Sequence, residues 1–211
     1  PRTPTQPNLP PCVSGCIKRK FYTNRKYDIT FFMNSEKIPT EVLKYELRKM
    51  QIKLAEESRS SFLTFVKKVW PEFVAGSHHK IIAQKFEDIS RGKIKRLIVN
   101  MPPRHTKSEF ASHLFPAWMM GQKPKLKIIQ TTHTAELSYN FGRKVRNLFD
   151  QQEFRDVFPN VTLSQDSKAA GRFTTNKGGE YFAAGVGGAI TGRGADLLII
   201  DDPHSEQDAL S

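Results

Sequence analysis

The chain has 211 residues, with 33 Lys or Arg against 21 Asp or Glu and a formal net charge of +12 at pH 7. That length can bury one sizeable core, and the basic balance favours a polyanionic partner such as nucleic acid over simple solubility, which acidic sequences serve equally well. Two cysteines, Cys12 and Cys16, with no second His or Cys pair nearby, exclude a disulfide scaffold and a zinc site and favour a reducing setting, and no apolar run approaches the roughly 18 residues of a membrane span.

Residues 1–34 differ from everything after them. Five prolines fall within the first eleven residues, the basic run Lys18-Arg19-Lys20 follows, and no helical or strand period lasts, so a disordered arm is expected. Met33-Asn34-Ser35 reads as a start of translation, which would place residues 1–32 outside the native coding sequence and leave both cysteines without a role. From Ile38 to Ser58 the pattern is helical, with Leu43, Leu47, Met50 and Leu54 at spacings of four, three and four. Such a helix either reaches a neighbouring subunit or packs on its own domain. Phe62, Phe65, Val66 and Val69 form another stripe, ended by Trp70-Pro71. A helix from His78 to Ser90 follows, with Ile81, Ile82, Phe86 and Ile89 expected inward.

The stretch Leu97-Ile-Val-Asn-Met-Pro-Pro-Arg-His-Thr-Lys107-Ser108 runs from an apolar, β-branched segment into a polar turn, and a helical pattern opens at Glu109-Phe110-Ala111. Strand, loop, helix is the order of a P-loop: backbone N–H groups and the helix N-terminus hold phosphates, the lysine reaches the β- and γ-phosphates, and the hydroxyl binds Mg²⁺. Met101 and Thr106 occupy the two glycine places of G-x-x-x-x-G-K-S/T. The helix is expected to run from Lys107 to about Met120, with a kink or break at Pro116, whose missing N–H would have bonded residue 112.

Lys127–Thr132 reads as the next parallel strand, and Thr134 or Thr132 caps a helix over 135–149 with Leu137, Phe141, Val145 and Leu148 inward. Residues 150–170 look irregular. Arg172–Thr175 and Glu180–Ala184 read as short strands joined by a turn at 176–179. The glycine-rich loop that follows is no dinucleotide fingerprint, since Ile190 stands where the third glycine would fall, but it delivers Arg193 nine positions before Asp202. The run Ala195-Asp-Leu-Leu-Ile-Ile-Asp201-Asp202-Pro203 is a buried strand ending in paired carboxylates, Asp201 for the metal and Asp202 for the attacking water, at the strand end where nucleotide sites of parallel sheets lie. Chain order and right-handed crossovers place residues 95–101 and 197–201 centrally in the sheet, separated by one strand.

Met101-Pro-Pro-Arg-His-Thr-Lys-Ser108, Phe110-Ala-Ser-His-Leu-Phe-Pro-Ala-Trp118 and Gly187-Gly-Ala-Ile-Thr-Gly-Arg-Gly-Ala-Asp-Leu-Leu-Ile-Ile-Asp-Asp-Pro203 together resemble the large terminase subunit of tailed bacteriophages, and the likeness covers roughly Ser61 to the chain end. The resemblance implies an α/β P-loop NTPase of the ASCE type over residues 35–211, with a parallel-sheet core, flanking helices and a helical N-terminal segment, cut short soon after the Asp-Asp strand and with the family's nuclease lying beyond it. It implies ATP and Mg²⁺ as cofactors. Pro103, Arg104, His105, Thr106, Lys107 and Ser108 would surround the phosphates, Ser108 and Asp201 would hold the metal, and His79, ahead of Gln84 and Trp70, would meet the adenine. Asp202 stands where the family carries a water-orienting glutamate, with Glu206 as the fallback. Arg193 corresponds to an arginine thought to act across subunits, with Arg104 as a sensor or loop support. Double-stranded DNA, a portal protein, a small terminase subunit and a homo-oligomeric ring are the implied partners, with no membrane, in the host cell cytoplasm. A superfamily 2 helicase shares the sheet and both motifs, and a degenerate P-loop that binds DNA or a portal without hydrolysis is the nonenzymatic alternative. With no cluster of three carboxylates at two-metal spacing, this chain is expected to show no nuclease activity.

Overall fold

The computed structural model describes residues 39–188 and 190–204, so the expected arm, both cysteines, the Met33 start and Glu206 lie outside the described residues. Three helices, α1 (Thr40–Ser60), α2 (Phe62–Val69) and α3 (Ser77–Ser90), lead into a π-helical turn at Glu109–Leu114 that continues as α4 (Phe115–Gln122). Strand β1 (Lys127–Thr132), helices α5 (Ala135–Leu148) and α6 (Gln152–Val157), and strands β2 (Leu163–Ala169), β3 (Arg172–Thr175), β4 (Glu180–Gly185) and β5 (Leu197–Ile200) complete the order.

The core gathers around Phe62. Ser61 caps α2 by accepting from the Thr64 N–H, and Phe62, Phe65 and Val66 are wholly buried behind it. Phe62 meets the rings of Phe86, Phe110, Phe115 and Trp118 edge-on at 5.3–5.8 Å. Each such ring contributes about 1.5–3 kcal/mol of apolar burial, with edge-on contacts adding to it. Glu87, 9% exposed, is satisfied by the Phe62 N–H at 2.9 Å and by Arg91 at 3.2 Å.

Two inward faces differ from expectation. On α3 the buried side is His79, Ala83, Phe86, Glu87 and Ser90, while Ile81 is 64% exposed, because the contact with α2 and the loop lies one step round the helix from the purely apolar stripe. On α1 only Ala55 and Ser58 are buried, and Leu43, Leu47, Met50 and Leu54 are 41–54% exposed. The helix joins the core through its last turns alone, where Arg59 Nε donates to the Val157 carbonyl and Trp118 Nε1 to the Ser58 carbonyl.

The sheet order is β2-β3-β4-β1-β5. Strands β4, β1 and β5 form the parallel core that was expected, whereas β2, β3 and β4 form an antiparallel meander, so the α/β sheet as a whole is mixed. Residues 150–170 are not irregular. Phe154 and Val157 anchor α6 in the core, and the polar run of β2 becomes a strand through its antiparallel pairing with β3. Gly142 of α5 allows the close approach of this meander, since a Cβ there would sit 2.1 Å from the Ala170 carbonyl oxygen.

The expected central pair of strands is not formed. Among the described residues β5 pairs with β1 alone, at one edge of the sheet. Residues 97–100 alternate between half-buried and exposed as a strand would, yet they join no ladder among the described residues. Leu97 and Val99 pack on the core while Ile98 is 85% exposed. The run keeps a strand's alternation of burial, but membership of a sheet needs a partner strand, and β5 is not paired to this segment.

Candidate functional site

The loop before the first helical turn carries two left-handed residues, Arg104 and Thr106, each at φ +63°. Thr106 stands at the second glycine place of the phosphate-loop pattern, and the backbone there adopts the conformation that glycine would supply without strain. For a β-branched residue this costs on the order of 1–3 kcal/mol and requires outside support. His79 provides it. The Gly76 N–H donates to His79 Nδ1 at 2.9 Å, so in the neutral ring the proton resides on Nε2, which donates to Thr106 Oγ1 at 2.7 Å. The threonine hydroxyl then donates to the His105 carbonyl at 2.6 Å, and His105 Nδ1–H donates to the Pro103 carbonyl at 2.9 Å. Both ring nitrogens of His79 are thus committed within the chain. It braces the loop in this arrangement.

Burial, reinforced by the neighbouring His78 and His105, lowers the His79 pKa below its ordinary 6.5. A group with a depressed histidine pKa takes up fewer protons folded than unfolded, so its contribution to stability is complete above about pH 6.5 and is lost as pH falls through the folded value. Urea denaturation of the wild-type chain should therefore show stability declining below about pH 6.5, and His79→Gln should lack that component. An identical pH profile in the two chains would contradict the neutral, donor role.

Helical winding begins at Lys107, and the kink expected at Pro116 is realised as the π-turn. Proline cannot donate to residue 112 and its ring crowds that carbonyl, so the ladder shifts and the Phe115 N–H reaches back five residues to the Phe110 carbonyl. Phe110, Ser112 and Leu114 face inward from this turn.

The opposite wall is the C-terminal end of β5. Asp201 N–H donates to the Thr131 carbonyl at 3.0 Å, extending the pairing with β1 by one residue, and the Asp202 carbonyl accepts from the His133 N–H at 3.2 Å. Asp202 adopts φ +45°, a conformation aspartate tolerates better than most residues, and this turns the chain away after the strand. Asp201 is 6% exposed and the Asp202 side chain 65%. Lys107 Nζ lies between them, 3.3 Å from Asp201 Oδ1 and 2.5 Å from Asp202 Oδ1. Partial burial opposes the ammonium charge, but the hydrogen bond to Asp202 and the Asp201 charge outweigh it and raise the Lys107 pKa. The second oxygen of Asp201, Oδ2, accepts from Ser112 Oγ at 2.8 Å, and Ser112 is wholly buried.

No family model matches the chain, nor does a curated protein or a solved structure. The reading of the site rests on these residues alone. Lys107, Asp201 and Asp202 come together from positions about 95 residues apart, and Ser108 sits half-buried at the start of the same helical turn. Arg104 is exposed on the loop. Gln84 is exposed and bonds Asp88 on its own helix. Trp70 lines a cleft of about 490 Å³ with His113, Lys144, Asn147 and Gln151, beside the cluster but including none of its three charged residues. Glu109, on that cleft, is held as carboxylate by His113 at 2.9 Å and by Lys144, with its pKa lowered to about 2.

Arg193 is not in the cluster. Its guanidinium carbon lies 3.9 Å from the centroid of the Phe182 ring, and Nη1 is 3.4 Å from Glu180, which also holds Arg172 at 2.8 Å. Glu180 pairs with Lys127 at the start of β1, whereas Asp201 bonds Thr131 near its end. Four residues of strand separate them, or about 13 Å at the ordinary rise of about 3.3 Å per residue. The residue that the motifs did not indicate is Ser112. Its only signal in the sequence is a small polar residue four positions after Ser108, between the apolar Phe110 and Leu114.

Proposed function

We propose that the chain is the ATPase motor part of a viral DNA-packaging terminase large subunit, hydrolysing ATP with Mg²⁺ to move double-stranded DNA into a procapsid. The observation that supports this best is the Lys107 ammonium between Asp201 and Asp202 at the C-terminal ends of parallel strands, on the first turn of a helix. Phosphoryl transfer needs charge neutralisation and an aligned water more than covalent help, and this arrangement offers both. Lys107 would leave the carboxylates for the β- and γ-phosphates, whose charge exceeds theirs. Asp202, exposed beside the lysine, would orient the attacking water. The helix N-terminus and the loop N–H groups from Arg104 to Ser108 would receive the remaining phosphate charge.

The donor set suits Mg²⁺. Among the described residues no three or more His, Cys, Asp and Glu side chains form a group that could hold a metal unaided. Mg²⁺ bound with nucleotides takes one or two protein oxygens and completes its shell with phosphates and water. Asp201 and the Ser108 hydroxyl would hold it, and when bound it supplies neutralisation of the β,γ-phosphate charge. The net charge of +12 accords with a DNA substrate, and a ring of copies on a portal, with a small terminase subunit and in the host cytoplasm, completes the reading. Among the described residues no helix is long and apolar enough to cross a membrane.

The test is ATP hydrolysis by the natural protein, with and without Mg²⁺ and double-stranded DNA. Mg²⁺-dependent turnover that DNA stimulates is the expected result. ATP binding without turnover under every condition would favour the nonenzymatic alternative, and strand separation of duplex DNA would favour a helicase.

A further inference from the structure

We infer that Ser112 is a positioning residue for Asp201, fixing the carboxylate so that one oxygen is held inside the fold and the other is presented to the cation. The inference rests on the reading of the cluster as a Mg²⁺-nucleotide site. Three observations carry it. Ser112 Oγ and Asp201 Oδ2 are 2.8 Å apart, and both residues are buried, at 0% and 6% exposure. The remaining oxygen, Oδ1, is the one that faces Lys107 Nζ at 3.3 Å. The π-turn that carries Ser112 inward spans Glu109–Leu114, immediately after the Lys107-Ser108 pair.

A carboxylate can accept along both oxygens, and an unheld aspartate rotates about its side-chain bonds to share them. The Asp201 backbone is already pinned by its bond to Thr131, so side-chain rotation is the freedom that remains. The Ser112 hydroxyl removes it. As a hydroxyl it carries no charge, so it orients the carboxylate without competing for a cation as the lysine does. Pro116 is what makes the geometry available: with residue 112 deprived of its ordinary helical donor, the backbone widens there. π-Turns of this kind are often found at functional sites. The bond to Ser112 separates the roles of the two aspartates, since the Asp202 side chain, 65% exposed, is bonded by Lys107 alone among the described residues and would be released to a water or a phosphate were that lysine to move.

Partners that orient a metal ligand typically account for 10- to 100-fold in metal affinity when removed. Calorimetric titration of ATP into the natural protein, with and without Mg²⁺, reads this without relying on turnover. Wild type should bind ATP more tightly with Mg²⁺. Ser112→Ala should lose about 10- to 100-fold of that enhancement while its Mg²⁺-free affinity stays within about twofold. Ser112→Cys, which keeps nearly the same volume but only a weak donor, should lose most of the enhancement as well, so the loss cannot be ascribed to a cavity or to a chain that fails to fold. Ser112→Thr, which keeps the hydroxyl, should retain it. Full Mg²⁺ enhancement in both Ser112→Ala and Ser112→Cys would overturn the role of Ser112 alone. Absence of any Mg²⁺ enhancement in wild type would overturn the nucleotide reading and this inference with it.

Discussion

Lys107→Ala in the natural protein should abolish ATP hydrolysis and weaken nucleotide binding by about 10- to 100-fold, the scale of one or two lost charge-assisted hydrogen bonds. Lys107 is the cation that contacts both carboxylates, and its removal leaves Asp201 and Asp202 facing each other without a counter-charge. The fold should survive, because Asp201 keeps Ser112 and Thr131 as partners. The two aspartates should then behave differently. Asp201→Ala, removing the buried carboxylate, should eliminate Mg²⁺ dependence together with activity. Asp202→Asn, altering the exposed one, should retain Mg²⁺-dependent ATP binding and lose turnover. Titration and steady-state assays on the three variants separate these roles, and equal loss of binding in both aspartate variants would dissolve the division between them.

Arg193→Ala should bind ATP normally and yet fail to stimulate a neighbouring subunit, with a loss on the order of 10³–10⁵ in rate, as for arginines supplied in trans in other phosphoryl-transfer systems. Within its own chain Arg193 is held against Phe182 and Glu180, about 13 Å of strand away from the Asp201 end, so it does not serve its own Lys107 in this arrangement. Release is inexpensive, because the side chain is a third exposed, Glu180 has Arg172 as an alternative partner, and Gly192 at φ +83° gives the loop freedom to swing. Lysine would be a poor replacement, lacking the planar fork that spans two phosphate oxygens. Mixed complexes of Arg193→Ala and Lys107→Ala subunits, each inactive alone, should recover partial ATPase activity. If they recover none while both assemble, Arg193 acts in cis or only shapes its loop, and Arg104 becomes the stronger candidate.

Local features were legible wherever a short stretch of chain contains its own cause. Thr134 caps the helix that follows it, Trp70-Pro71 ends α2, and the strands at Lys127–Thr132 and Glu180–Gly185 fall within a residue of where alternation and turn residues put them. The Lys107–Asp201–Asp202 cluster was legible because two motifs each specify one wall. What could not be read depends on partners distant in sequence. β2 is polar and becomes a strand only beside β3. Residues 97–100 have a strand's alternation but no pairing strand among the described residues. The π-turn could be anticipated as a disturbance at Pro116, but not as the device that brings Ser112 to Asp201, because nothing in the spacing fixes how the helix unwinds. His79 was singled out near the loop, but its brace on Thr106 was not, since its tautomer follows from Gly76 and Thr106 together.

The long span between the two walls of the cluster also bears on the order of events in folding. Phe62 meets Trp118 across about 56 residues and β5 finds β1 across about 70, while Lys107 reaches Asp202 across 95 and Arg59 reaches Val157 across 98. Closing so long a loop costs entropy before any contact repays it. The cluster is expected among the later contacts made, together with the equally distant Arg59–Val157 bond. Substitutions at Ser112, Asp201 or Asp202 should then change the lifetime of the folded state more than the speed of reaching it, which folding and unfolding rates of the variants would show. A nucleotide bridging Lys107 to the aspartates would act on that same lifetime, tying the loop before Lys107 to the end of β5 and slowing the opening of the sheet's edge.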